Sequence, residues 1–247
     1  MPSLVVLIER PRDPGPAVAL LVAQAGLAPA EARMRLAPEP PAVVIRTEDA
    51  AATAMAEALT KAGAPALAID LQKRAAPVLA RSFELGPGQV TFFGRTGDET
   101  EMNYGDIRLI LRGLRMTSSE VIKTETTRKF DLGKAIVTQG LSMTKVEKRE
   151  VRSEVKNPLH AAMVHGAGVA VLLDEAELIY QSLGPALKPA RLENFNTLVG
   201  ELRRRAVAAR YDDRLLRLGA RPLPLEPSDP FDAIAEILNQ AQLRGKW

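Results

Sequence analysis

The sequence predicts an α+β protein in two parts. A small α/β sandwich of order strand–helix–helix–strand–helix–strand occupies residues 1–75, and a mostly antiparallel β domain with a closing C-terminal helix occupies residues 81–220. Three observations predict it. Within the first seventy residues the apolar pattern switches from strand-like runs to helical spacing and back again. Beyond them, β-branched runs are separated by turn residues such as Gly86-Pro87-Gly88 and Thr96-Gly97-Asp98-Glu99. Helical spacing then returns in "RLENFNTLVGELRRR", with Leu192, Phe195, Leu198, Val199 and Leu202 on one stripe.

Taken in order, "LVVLIE" (Leu4 to Glu9) is a short β-branched run and reads as a buried strand. "RPRDPGP" stops it. "AVALLVAQAG" is apolar all round and ends on Gly26, which suits a helix C-terminus. Pro29 suits the first turn of the next helix, where its missing N–H had no partner anyway. "PEPP" ends that helix and "AVVIR" resumes an extended run. Thr47 is expected to cap a third helix, with Glu48 and Asp49 at the positive end of its dipole. "EDAAATAMAEALTKAG" is that helix, and "APALAIDLQ" alternates as the last strand.

"AGLAPAEARMRLAPEPPAVVIRTEDAAATAMAEALTKAGAPALAI" resembles the C-terminal domain of the bacterial ribosomal stalk protein, a fold shared with the Clp protease adaptor. Gly26-Leu27, Glu31-Ala32 and Ala62-Gly63-Ala64 carry the resemblance, which spans residues 4–71. It implies a protein-binding module. The family's activities rest on other residues. Ala28 and Pro29 stand where the stalk domain's lysine surface would begin, and Arg10-Pro11-Arg12-Asp13 stands in the adaptor's binding loop. The fold and the general role carry over, without either specific activity.

In the second part, "SFEL", "QVTFFGR" and "EMNY" read as strands. "DIRLILRGLRM" alternates, with Ile107, Leu109 and Leu111 on one face and Arg108 and Arg112 on the other, so a half-buried strand is expected. "SSEVIKTETTRKF" reads as a further strand. "DLGKAIVTQG" stays open between a helical turn and a loop, and "LSMTKVEKREVRSEV" between a hairpin arm and an exposed insertion. "AGVAVLLD" and "AELIYQSLG" are expected to form a hairpin across Asp174-Glu175. "EMNYGDIRLILRG" resembles the second-to-third strand segment of bacterial pleckstrin-homology-like domains, whose members bind lipid headgroups, peptides or proteins; fold alone does not say which.

Residues 221–247 form a Pro-punctuated tail with a short amphipathic helix. Its stripe, Phe231, Ile234, Ile237 and Leu238, either packs on the chain's own domain or docks in a partner's groove.

The chain has no cysteine, so disulfides, thiolate metal sites and a Cys nucleophile are excluded. His160 and His165 lie five apart, lack carboxylate neighbours and have no third histidine, which argues against a metal or catalytic site. "HGAG" lacks a nucleophile turn, and "GRTGDE" lacks the Gly-Lys-Ser/Thr of a phosphate loop. Asp212-Asp213, beside Arg210 and Arg214, reads as salt-linked before it reads as an acid/base pair. Neither cofactor nor catalysis is expected. With no apolar run long enough to span a bilayer and no signal peptide, the chain reads as cytoplasmic.

Charge is uneven. Residues 1–80 hold eight Lys/Arg and eight Asp/Glu; residues 107–156 hold twelve against six, a net of +6. Lys145, Lys148, Arg149 and Arg152 are the candidate contacts for an anionic partner such as a lipid surface. Nucleic acid is disfavoured, because Phe130 is the only aromatic available for base stacking in that segment. The expectation is therefore a two-domain interaction or adaptor protein without enzymatic activity, with another protein as its partner. An anionic surface bound through residues 107–156 is the alternative, and an enzyme with a dispersed carboxylate site is a third.

Overall fold

A computed structural model describes residues 2–70, 76–130, 144–216 and 230–244, with side chains at 3–70, 76–115, 158–216 and 231–244. It is an α+β fold. The chain divides into two compact units: Met1–Arg115 together with Leu159–Trp247, and Met116–Pro158.

The first unit begins with β1 (Pro2–Leu7), α1 (Gly15–Ala25), α2 (Pro29–Leu36), β2 (Ala42–Glu48), α3 (Asp49–Lys61) and β3 (Ala66–Ile69), the order expected from the sequence. The strands form an antiparallel sheet of order β2-β1-β3. Gly26 closes α1 at φ 65°, a conformation that costs an L side chain free energy, and Pro29 opens α2. Thr47 does not cap α3. It continues β2 opposite Ser3, because β1 extends to Pro2 and keeps the ladder going through Glu48. Ser3 Oγ instead donates to Asp49 Oδ1 at 3.0 Å. One face of this sheet, with Val5, Leu7 and Val44, packs on Ala17, Leu21, Ala52 and Leu59 of the helices.

The same unit continues with β4 (Val78–Ala80), β5 (Ser82–Leu85), β6 (Gln89–Phe93) and β7 (Glu99–Asn103). Strands β8 (Leu109–Phe130) and β9 (Thr144–His165) begin and end in it. β10 (Ala170–Asp174), α4 (Arg191–Arg205), β11 (Arg210–Leu215) and α5 (Pro230–Leu243) follow. β5-β6-β7 is an antiparallel meander. The larger sheet has the order β11-β8-β9-β10-β4 and is mixed. β11 runs parallel to β8 and β10 parallel to β4, while β10 is antiparallel to β9. Parallel neighbours need long connections: β5 to β9 lie between β4 and β10 in the chain, and β9, β10 and α4 lie between β8 and β11.

The expected hairpin at Asp174-Glu175 is absent: β10 pairs with β9 and β4 instead. Asp174 Oδ1 accepts the Ala176 N–H at 2.9 Å and turns the chain, and residues Gln181–Ala186 form a 3-10 turn. The expected half-buried strand is buried on both faces. Leu109 and Leu111 lie in one apolar cluster, and Ile107 and Ile110 in another. Helix α5 accounts for the first. Phe231, Ile234, Ile237 and Leu238 pack with Leu109, Leu111, Met163 and Leu172 of the five-stranded sheet, and also with Leu4, Val6, Val43 and Leu67 of the first sheet. α5 is thus a layer shared between two sheets. Ala233, Ala235 and Ala241 are buried as well, as expected for a helix enclosed on more than one side.

The second unit holds the continuations of β8 and β9, residues 116–130 and 144–158. A strand of 22 residues far exceeds the usual 3–10. β10 and β11, with five and six residues, pair only at Ala161–His165 and Leu109–Gly113. The polar segment left open above as hairpin arm or insertion is thus strand from Thr144 onward. "DLGKAIVTQG" lies outside the described residues.

Candidate functional site

Sequence-predicted candidates fall in three places. Lys145, Lys148, Arg149 and Arg152 are on β9 within the second unit; their side chains lie outside the described set. Phe231, Ile234, Ile237 and Leu238 are buried in the shared layer, so in this state the stripe is occupied from within the chain. Asp212 is buried against Arg214, whose Nε reaches both carboxylate oxygens at 3.0 and 2.9 Å. Arg214 also donates to the carbonyls of Glu39, Pro40 and Pro41, each at 3.2 Å. The pair therefore fastens β11 to the turn before β2. His165 is 4% exposed and its Nε2 has no hydrogen-bond partner among the described residues. Burial, then the nearby Arg108 charge, lowers its pKa to about 4. His160 lies against the Phe195 ring. Among the described residues no cluster of three metal-ligating side chains occurs, and no helix is long and apolar enough to cross a membrane.

Among the described residues, a cleft of about 290 Å³ lies between residues 178–181, residues 187–188 and the start of α4. It is built from the chain's own backbone outward. Asn194, buried on α4, accepts the Lys188 N–H at 2.6 Å and donates to the Lys188 carbonyl at 2.8 Å. That bidentate clasp fixes one wall. Arg191 Nη2 donates to the carbonyls of Glu175, Ala176 and Leu178 at 2.9, 2.8 and 2.8 Å, and its guanidinium lies 5.5 Å from the centre of the Tyr180 ring. Tyr180 donates its hydroxyl proton to the Glu175 carbonyl at 3.0 Å. Burial pushes the Tyr180 pKa up, with Arg191 opposing in part, so the phenol stays a donor.

The side chains of Tyr180, Arg191 and Asn194 are consequently spent on the fold. What faces solvent is mixed: Ile179 is 52% exposed and Leu187 is 48% exposed, and the side chains of Gln181 and Lys188 are exposed beside them. The Lys188 ammonium has no carboxylate partner among the described residues. Of the lining side chains, none is a carboxylate, histidine or serine, and the Tyr180 hydroxyl is committed to the Glu175 carbonyl. Pockets that enclose drug-sized ligands run roughly 300–1,000 Å³ and bury most of the ligand, so this volume suits one or two side chains of a larger partner.

Sequence reasoning missed these residues. Reading "AELIYQSLG" as a strand hid Ile179, whose apolar side chain is out of step with the buried Leu178 and Tyr180. An apolar residue off the alternating parity was the available signal.

No family model, no curated protein and no solved structure matches the chain.

Proposed function

We propose that this protein is a non-enzymatic interaction or adaptor protein that docks a partner protein at the Ile179–Leu187 cleft. One observation carries the reading: two large apolar side chains stand exposed across a cleft whose Tyr180, Arg191 and Asn194 side chains are committed to backbone bonds. A rigid frame with solvated apolar lips gains free energy when the lips are covered, at about 25 cal/mol per Å² of apolar surface. It loses little ordering entropy in doing so. Hot spots at interfaces cluster in well-packed, fully desolvated pockets, where a partner's anchor side chain seats.

The test is affinity capture from native lysate with the wild-type chain and with an Ile179→Asp/Leu187→Asp double variant. Both positions are exposed, so the variant should keep the wild-type circular dichroism spectrum and melting temperature. A protein retained by wild type and lost by the variant supports the reading. Identical retention by both, or no specific retention by wild type, overturns it.

A further inference from the structure

The charges around the cleft say what kind of partner segment it takes. Elsewhere in the first unit, several arginines meet carboxylates: Arg35 with Glu31, Arg81 and Arg95 with Glu177, Arg204 and Arg205 with Glu201, and Arg214 with Asp212; Arg10, Arg108 and Arg112 bond carbonyl or amide oxygens instead. The cleft has no such ion pair among the described residues, and its charge is of one sign. Its two ionic lining residues, Lys188 and Arg191, are both cationic, and neither is paired with a carboxylate among the described residues. Arg191 is fixed by three carbonyls, so its charge is held at the wall while its donors are largely committed. Lys188 is different. Its backbone is clasped by Asn194 and its ammonium is left to solvent. Glu193 stands nearby on the first turn of α4 but does not line the cleft.

We infer that the cleft takes a short acidic segment of a partner protein, with an apolar side chain seated between Ile179 and Leu187 and an adjacent carboxylate on Lys188. This rests on the docking reading above and adds the chemistry of the partner. The apolar contact supplies most of the affinity. The ion pair, formed at a solvated rim, supplies selectivity and a salt dependence.

The experiment pans a random-peptide display library against the immobilised full chain, with the Ile179→Asp variant as counter-selection. Enriched peptides are expected to place Asp or Glu next to Leu, Ile, Val, Met or Phe. A synthetic peptide of the enriched sequence should bind Lys188→Glu about fivefold to tenfold more weakly than wild type, and less tightly as salt rises. Replacing its acid by Lys should restore binding to Lys188→Glu. Peptides that depend on Ile179 but show no acidic preference, or ignore Lys188→Glu, overturn this inference and leave the docking reading standing. Absence of any Ile179-dependent peptide overturns both.

Discussion

Toward α5, the five-stranded sheet presents Leu109, Leu111, Ala161, Met163 and Leu172; toward α4 it presents Ile110, Ala162, Val164, Val171 and Leu173. The two faces are alike in residue type and differ in what covers them. On the α4 side the cover includes five aromatic rings, Phe83, Phe92, Tyr104, Tyr180 and Phe195, beside aliphatic residues such as Leu198 and Leu202. Arginines stitch it together. Arg205 reaches the Gly86 carbonyl at 2.6 Å and lies 5.6 Å from the Tyr104 ring centre, and Arg112 lies over Phe195. On the α5 side the cover is aliphatic apart from Phe231, and Gln242 Nε2 donates to the Arg108 carbonyl at 2.8 Å. A face fastened at many polar points spreads the cost of losing one group. A face held by shape complementarity loses most where its largest side chain is removed.

The sharpest way to break that comparison is Phe231→Ala. Phe231 is fully buried, and its loss opens a cavity shared by two sheets. The expected cost is about 3–5 kcal/mol, read from urea unfolding. A cost under about 1 kcal/mol would mean that α5 is not an integral layer. Next in size is Arg214→Met, expected to cost about 3 kcal/mol, because it leaves the Asp212 carboxylate buried without its counter-ion. Arg205→Met on the α4 side should cost less, since Arg205 and Glu201 are partly solvated. Equal costs would erase the distinction between the faces. A smaller effect, about 1–3 kcal/mol, is expected for Gly113→Ala. A Cβ there would sit 2.4 Å from Leu215 Cβ and 3.1 Å from the Phe231 ring, so an unchanged melting temperature would show that β11 and α5 yield easily.

How far all this could be read in advance follows from where the information lies. Local chemistry was legible: Gly26, Pro29 and the alanine-rich α3 declare their elements within a few residues, and the fold class and the opening element order follow. What failed was non-local. Alternation in "DIRLILRG" shows two kinds of side chain, but both faces are buried because α5, from the far end of the chain, covers Leu109 and Leu111 while α4 and the β5–β7 meander cover Ile110. Thr47 looks like a cap until Ser3 is placed opposite it. The cleft was illegible for the same reason. Exposure of Ile179 and Leu187 depends on the backbone bonds made by Arg191 and Asn194, which no spacing rule encodes.

The last expected effect, comparable in size to that at Gly113 but seen only on changing pH, probes the seam between the faces, where the end of β9 meets Arg108 and the α5 residue Gln242 bonds to it. His165 there is held neutral, with its pKa lowered from 6.5 to about 4 by burial and then by Arg108. A histidine depressed in the folded state is protonated first in the unfolded chain. Its stabilising share is therefore complete above pH 6.5 and is lost progressively as pH falls toward about 4. Between pH 7 and pH 5 that loss amounts to about 2 kcal/mol. His165→Gln cannot titrate, so its unfolding free energy should fall less over the same interval, by that difference. Carboxylates that titrate in both proteins cancel in the subtraction. Parallel pH profiles for the two proteins would mean that water reaches His165 and that the two covers part at this seam in solution.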